Sequence, residues 1–382
     1  MSKKIHIAVI GTGNCFSSLY QGIDCYKDHD EDLIPGIDFK RIGGYHPADI
    51  QVVAAFDIDR RKVGRSVGEA IFAKPNCARV FNPDVPDGPI VQMGHLLDGV
   101  SEHMMDYPEE ERFAISNEEP EDVVKILKER DVHILLNYLP VGSQQATEFY
   151  VNCALEAKVA VCNCIPVFIA SNPLWEQKFI DAGLCLIGDD IRSQFGASVL
   201  SQIVQELALD RGMTVDFHQQ INIGGNTDFL NMMNQQRLAS KKISKENVIR
   251  SQNEIRGVPI PKNSIFAGPS TYIPYLKDNK VAYLNVRMKG FGGAPVDMDI
   301  KLSVQDSENS AGVVIDALRF LRVAQEMGIV GSLRGPSALE FKTPPKQMAF
   351  RDAKTECDAL AVRQLTDITT KQLLSTTKPR KL

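Results

Sequence analysis

"IHIAVIGTGNCFSSLY", residues 5–20, decides the fold. Ile5 to Ile10 form a short apolar run that ends in Gly11-Thr12-Gly13, and the residues after it take helical spacing. A strand that turns through Gly-x-Gly into a helix is the context a dinucleotide-binding unit needs. The glycines let the backbone approach a pyrophosphate, and the helix N-terminus offers free N–H donors and the positive end of its dipole. The third glycine of the full pattern is missing, with Phe16 in its place, and a lone Gly-x-Gly also fits an ordinary strand–helix turn. "DIQVVAAFDID", residues 49–59, is a second apolar strand, and Asp57 closes it. An acid there is the expected acceptor for ribose hydroxyls and disfavours a 2′-phosphate, so its presence at the strand end points to NAD over NADP. Asp57 follows Gly11 by 46 residues, not by about 20. Residues 27–48 read as an insertion that accounts for the excess.

The same rhythm continues outward. "DVHILLNYLPVG" (131–142) and "KVAVCNCIPV" (158–167) are apolar strands, with a helix, "QQATEFYVNCALEA", between them. "AGLCLIGDD" (182–190) is another strand running into polar residues. Strands that are apolar throughout and alternate with helices predict a parallel sheet covered on both faces. Then the period changes to two. "AYLNVRMKG" (282–290) and "VDMDIKLSV" (296–304) alternate apolar with polar and are joined by "GFGGAP", which predicts an antiparallel hairpin with one polar face. The fold class expected is therefore α/β. A Rossmann-like, doubly wound parallel sheet spans 1–196 and 305–382, and a second α+β domain, 197–304, carries an antiparallel sheet. "SAGVVIDALRFLRVAQEMG" (310–328) is a helix stopped by Gly328, and the tail "STTKPRKL" is polar, basic and expected to fray.

Composition sets outer limits. Hydrophobic residues make up 43% and charged residues 24% of 382 residues, values of a globular chain with a sizeable core. The formal net charge of -5 argues against broad nucleic-acid affinity, which needs a basic stripe. There is no run of eighteen apolar residues, so no membrane span is expected. The chain enters its first strand without a signal-peptide pattern. None of the eight cysteines makes a Cys-x-x-Cys pair, so buried thiols in a reducing cytoplasm are expected rather than disulfides or zinc.

Candidate chemistry lies in the second half. "INIGGNTDFL" ends a strand and opens a helix, with Asp228 in the first helical turn, where it also suits the helix dipole. In "SKKISK", Lys241 and Lys245 share a helical face, and Lys242 lies about 100° away. Lys280 precedes the hairpin and Lys342 precedes a Pro-Pro stop. A single lysine is usually solvated; several that converge would suit a phosphorylated substrate and oxyanions, and a crowded lysine can move protons. "GDDIRSQ" places Asp190 and Ser193 after a strand end, where ligands of open sheets bind. Asp306 and Ser307 precede a helix and equally fit N-capping.

Taken together, "IGTGNCFSSL", "AAFDID", "YLPVGS", "IPVFIAS", "GDDIRSQFGAS", "GGNTDFLNM", "SKKISK", "DSENSAGVVIDALR" and "GPSALEFKTPP" resemble the myo-inositol-1-phosphate synthase family, of the shorter bacterial and archaeal type. The matches run in order from about residue 5 to 346. The resemblance implies NAD-dependent, net redox-neutral conversion of glucose 6-phosphate to 1L-myo-inositol 1-phosphate, an isomerase reaction of inositol and phospholipid biosynthesis. The family oxidises carbon 5, enolises at carbon 6, closes the ring by aldol attack on carbon 1 and reduces the ketone. Carried over residue by residue, the catalytic set is Lys241, Lys245, Lys280, Lys342 and Asp228. The cofactor set is Gly11, Gly13, Asn14, Asp57, Tyr150, Asp190, Ser193 and Asp306. Lys241 and Lys342 are expected to transfer protons around carbons 5 and 6, and Lys245 and Lys280 to face the enolate and carbon-1 oxygens. The family also implies a homotetramer paired through the second domain's sheet. Arg192 stands where relatives commonly carry lysine, Phe16 is bulkier than usual and is expected to tilt the first helix, and the tail after Lys346 has no counterpart. The sequence assigns no metal; Asp228 and Asp306 are the carboxylates that could hold a monovalent or divalent cation. Two other readings stay open: an ordinary NAD dehydrogenase of a phosphorylated sugar, and an inactive NAD-binding regulatory homologue.

Overall fold

The computed structural model describes residues 4–29 and 34–374. In chain order its strands are β1 (Ile5–Ile10), β2 (Ile50–Asp57), β3 (Val91–Met93), β4 (Ile134–Asn137), β5 (Ala160–Asn163), β6 (Cys185–Gly188), β7 (Thr214–Gly224), β8 (Ile265–Tyr272), β9 (Asn279–Lys289), β10 (Pro295–Gln305) and β11 (Gly331–Ser332). Its α-helices are α1 (Asn14–Cys25), α2 (Val67–Ala70), α3 (Val123–Glu129), α4 (Gln144–Ala157), α5 (Pro173–Ala182), α6 (Ala197–Asp210), α7 (Thr227–Asn231), α8 (Gln235–Arg256), α9 (Glu308–Glu326), α10 (Arg334–Glu340), α11 (Phe350–Ala361) and α12 (Asp367–Leu374). The last eight residues, where the tail was expected to fray, lie outside the described residues.

Seven parallel strands form the first sheet in the order β11-β6-β5-β4-β1-β2-β3. The strand order reverses between β1 and β4, so a crevice opens at the carboxyl ends of these two strands. The apolar run of β1 is continuous because both of its faces are covered. Ile5, Ile7 and Val9 pack with Leu19 of α1 and with Leu318 and Leu321 of α9. Ala8 and Ile10 point the other way, into a layer with Leu127 of α3, Val151 of α4 and Phe179 of α5. Each such side chain contributes about 1.5–3 kcal/mol on full burial. Phe16 is fully buried, and α1 continues unbroken from Asn14 to Cys25.

The second sheet runs β10-β9-β7-β8. It is mixed rather than purely antiparallel: β7–β9 and β9–β10 pair antiparallel, but β8 runs parallel to β7. The cause is α8, a 22-residue helix between β7 and β8, because parallel neighbours need a long crossover. Leu284, Val286 and Met288 of β9 are buried beneath α6 as the alternation predicts. On the edge strand β10 the corresponding Val296 and Met298 remain 39% and 36% exposed.

The inserted segment is not a solvent loop. Ile34, Ile37, Phe39, Ile42 and Tyr45 are buried in the core. The buried Arg319 of α9 donates to the carbonyls of Phe39 (2.7 Å), Lys40 (3.1 Å) and Tyr45 (3.2 Å) and pairs with Asp316. A buried guanidinium is tolerated only when its donors are met in this way. Among the cysteines, Cys153, Cys162, Cys164, Cys185 and Cys357 are buried, but Cys25, at the end of α1, is exposed. Of the described helices, none is long and apolar enough to cross a membrane.

The packing of the insertion on α9 has a sharp test. A methyl group on Gly312 would overlap the Gly36 carbonyl, which is backbone and cannot rotate away. Gly312→Ala is expected to cost roughly 1–3 kcal/mol, read from guanidinium unfolding. An unchanged midpoint would show that the segment does not pack there.

Candidate active site

The crevice holds a cavity of about 210 Å³, and every site residue expected from the sequence lines it. At one end are Gly11, Gly13, Asn14, Asp57 and Tyr150; at the other are Asp190, Ser193, Asp228, Lys241, Lys245, Lys280, Asp306 and Lys342.

The glycine turn follows β1 directly. Gly11 sits at φ +89°, and a Cβ there would lie 2.7 Å from the Tyr138 carbonyl oxygen, so glycine is required. Over Gly13, beside the N-terminus of α1, an added Cβ would meet nothing within 4 Å, which leaves the turn open to a ligand. Asn14 faces inward: its Oδ1 accepts the N–H groups of Cys77 (2.6 Å) and Ala78 (2.9 Å). Tyr150 accepts the His95 N–H at 2.7 Å.

Asp57 is engaged by its own chain. Oδ2 accepts from Thr12 N (2.7 Å) and Thr12 Oγ1 (2.5 Å), and Oδ1 accepts from the N–H groups of Ile58 and Asp59. Lys62, which sequence reasoning missed, lies fully buried beneath the turn. Its Nζ donates to Thr12 O (2.8 Å) and Asn76 Oδ1 (2.9 Å) and stands 3.8 Å from Asp57. Burial works to raise the Asp57 pKa, but Lys62 and the Thr12 contacts outweigh it and hold the group below the usual carboxylate range. The signal for Lys62 was faint, the last of three basic residues in "DIDRRK", because nothing local shows that its tip turns inward.

The other end is built around Asp190, which follows β6 at φ +60°. Residues 189–192 run antiparallel to 340–343: Arg192 N donates to Glu340 O, and Lys342 N to Asp190 O. This ribbon delivers Asp190 and Lys342 together. Lys342 Nζ donates to Asp190 Oδ1 at 2.9 Å, Lys241 Nζ approaches the same oxygen at 3.4 Å, and Ser244 Oγ donates to Oδ2 at 2.7 Å. Asp190 was expected on the cofactor side; in the structure its carboxylate pairs with two lysines. Asp306 likewise pairs with Lys280, and the capping reading fails, since Ser307 makes no side-chain cap and donates to Asp278 at 2.8 Å. Asp228 lies 3.9 Å from Lys241, behind Asn226, which caps α7. Lys242 is exposed, with Nζ 5.1 Å from the Phe266 ring. Ser244 and Asp278 are further site-shaping residues that sequence reasoning missed; Asp278 is buried and accepts from Asn226 as well as Ser307.

Lys241, Lys245 and Lys342 differ electrostatically. Burial lowers the Lys241 pKa, but Asp190, Asp228 and Asp306 overcome it and hold the ammonium firmly charged. Lys342 is pushed down to about 8, chiefly by burial and then by Lys241, despite Asp190. Lys245 is driven well below the ordinary lysine value by burial and by Lys241, Lys280 and Lys342. Among the described residues no carboxylate lies within ion-pair distance of Lys245. Asp190 itself stays ionised: burial opposes it, and Lys241 and Lys342 prevail.

Asp228 and Asp306, the carboxylates considered for a cation, are each engaged by an ammonium group. The group of metal-type ligand atoms found among the described residues is His6, Asp131 and His133, at the opposite ends of the strands. There the imidazole rings stack at 5°, His133 Nδ1 accepts the His6 N–H, and His6 Nδ1 and His133 Nε2 lie 3.8 and 3.9 Å from Asp131 Oδ2.

A Rossmann-like sheet with a cation-rich cleft at its switch point defines an enzyme of the α/β class. The particular family follows from comparison with known proteins. Residues 196–307 match the family model of myo-inositol-1-phosphate synthase. Curated inositol-3-phosphate synthases of Mycolicibacterium smegmatis and Mycobacterium tuberculosis are 44% and 42% identical, covering 93% and 94% of this chain and 97% and 96% of their own. A crystal structure of a myo-inositol-1-phosphate synthase-related protein from Thermotoga maritima superposes with a TM-score of 0.76 at 22% identity, over 95% of this chain and all of that one, and so shares the fold. The chain belongs to the myo-inositol-1-phosphate synthase family.

The Asp190 arrangement has a direct consequence. Asp190→Asn removes the carboxylate that Lys342 pairs with and one of the three that hold Lys241 charged, and breaking a buried pair in this way costs about 3–5 kcal/mol. Stability in guanidinium is expected to fall by that order and turnover by about a hundredfold or more. A variant of normal stability and rate would remove Asp190 from its central place.

Proposed function

We propose that the chain converts glucose 6-phosphate to 1L-myo-inositol 1-phosphate with NAD regenerated at each turnover, as an isomerase. The observation that carries this is the convergence of Lys241, Lys245, Lys280 and Lys342 beside an open Gly-x-Gly turn in one cavity. Gly11, Gly13 and the α1 N-terminus fit a pyrophosphate, and Asp57, held by Lys62, fits the ribose. NAD, when bound, supplies the reversible hydride acceptor for carbon 5.

The electrostatics revise the expected division of labour. Lys342, near 8, suits taking and returning the proton of the carbon-5 hydroxyl, because its two protonation states are close in energy near neutral pH. Lys245, lowered by burial and by its lysine neighbours, suits proton removal at carbon 6. Lys241 is held charged by three carboxylates and is a poor base; with Lys280 it suits stabilising the enolate and the carbon-1 alkoxide, where preorganised cations act most strongly. Residues 1–196 with 305–382 form the cofactor domain in this reading, and 197–304 the catalytic and assembling one. The protein works in the cytoplasm, and its product enters inositol and phospholipid synthesis.

The test is product formation by phosphorus NMR from protein, NAD and glucose 6-phosphate, with no build-up of NADH. Stoichiometric NADH would indicate an ordinary dehydrogenase, and NAD binding without product a regulatory homologue. Lys241→Gln, Lys245→Gln and Lys342→Met are expected to lower turnover by about a hundredfold or more, with Lys242→Gln near wild type. The sign of the pH effect follows from the base role: wild-type activity rises as Lys342 loses its proton approaching pH 8, and Lys342→Met loses that limb. Equal, small effects at 241, 242 and 245 would sink the assignment.

The assembly is a homotetramer paired through the second sheet. The support is β10, an edge strand whose Val296 and Met298 are exposed, with Phe291 wholly exposed at the hairpin tip. Light scattering at micromolar concentration is expected to give four chains, and a monomer would refute it.

A further inference from the structure

We propose that Arg237 is a positioning residue that couples the cofactor loops to the lysine helix, so that NAD bound at one end of the cavity improves sugar phosphate binding at the other. The proposal rests on the function argued above. Arg237, Lys241 and Lys245 are spaced four apart on α8 and form one stripe. Only the second and third members line the cavity. Arg237, in the first turn of α8, reaches across to the other sheet. Its Nη1 donates to Val141 O at 3.0 Å and to Asn231 Oδ1 at 3.3 Å, and its Nη2 donates to Asp98 O.

Both of those carbonyls belong to loops that face the cofactor end. Val141 follows β4 and itself lines the cavity, as do Leu96 and Gly99 on either side of Asp98. The Asp98 carboxylate accepts the N–H groups of Gln145 and Ala146 at the start of α4, the helix that carries Tyr150. Gly142 is shaped to the arginine: at φ +88°, a Cβ there would lie 2.7 Å from Arg237 Cγ. Neutral contacts line the same seam. Asn231 Nδ2 donates to Val141 O at 2.7 Å, and Asn234 Nδ2 donates to Ser101 Oγ at 2.9 Å.

The arrangement is a lever. One turn of α8 advances 5.4 Å, so the guanidinium sits about one turn before Lys241 and two before Lys245. If the two loops shift when they close on a dinucleotide, the two charge-assisted hydrogen bonds to Val141 O and Asp98 O carry the shift to the start of α8. Moving the two lysines as a unit changes how well they meet a sugar phosphate. Coupling of this kind is reciprocal in binding, and mutating the link removes the coupling without removing either site.

The experiment is calorimetric titration of the full chain with glucitol 6-phosphate, which lacks the carbon-1 carbonyl, with and without saturating NAD. Wild type is expected to bind it at least about fivefold more tightly with NAD, within the usual range of allosteric coupling. In Arg237→Gln, NAD affinity and glucitol 6-phosphate affinity without NAD should stay within about twofold. The enhancement should fall below about twofold, with a drop in kcat and little change in the KM for NAD. Arg237→Lys, which keeps the charge but loses the fork, should retain an intermediate enhancement. Full enhancement in either variant, or a lower melting temperature with coupling intact, would overturn the proposal. So would wild type that binds both ligands without coupling. Wild type that binds neither NAD nor glucitol 6-phosphate would instead refute the enzymatic reading, and the lever with it.

Discussion

A buried carboxylate must be met by cations or by a full set of hydrogen-bond donors, and the buried Asp190 is met by two lysines and a serine hydroxyl. That single constraint ties together three stretches far apart in the chain: the loop after β6, α8 through Lys241 and Ser244, and residue 342 beyond α10. The ribbon formed by 189–192 and 340–343 supplies two of them as one piece. The third comes from the crossover between β7 and β8, an element the second sheet requires for its own topology. Geometry at the lysine end thus depends on one anion being satisfied.

The same anion sorts the lysines. Lys241 shares Asp190 with Lys342 but has Asp228 and Asp306 nearby as well, so its charge is secure. Lys342 has less compensation for a similar burial, and Lys245 has cations for neighbours. Residue type alone makes these groups identical; position holds the charge on one and weakens the hold of another on its proton. Asp189, one residue before Asp190, shows how local this sorting is. It points back into the fold, accepts from Asn163, Ala170 and Ser171, and is raised to about 6, chiefly by burial.

The cofactor end follows a parallel logic. There Lys62 is the buried cation and Asp57 the buried anion, and together they brace the Thr12 backbone at the glycine turn. The carboxylate that the sequence marks for a ribose is therefore also a structural part of the turn. Asn14 and Tyr150 line the cavity while directing their side-chain oxygens to backbone N–H groups. Residues of this kind shape the site as much as they would touch a ligand.

Sequence alone carried the parallel sheet, because strands covered on both faces must be apolar throughout, and "IHIAVI", "ILLN" and "CLIG" are nearly so. It carried the turn at Gly11, since only glycine tolerates that φ beside a backbone carbonyl, and the shared face of Lys241 and Lys245, which helical spacing dictates. The family motifs named residues that all line one cavity. What sequence did not carry is partnership. Asp190 and Asp306 were read as cofactor ligands, and their binding to lysines depends on contacts 51, 152 and 26 residues apart. The parallel strand β8, the burial of the 34–45 segment against Arg319, and the inward turn of Lys62 escaped for the same reason. Hydrophobic period reports how a residue sits on its own element, whereas the pairing of charges, and with it proton affinity, is decided only when distant elements are brought within a few ångströms and water is excluded between them.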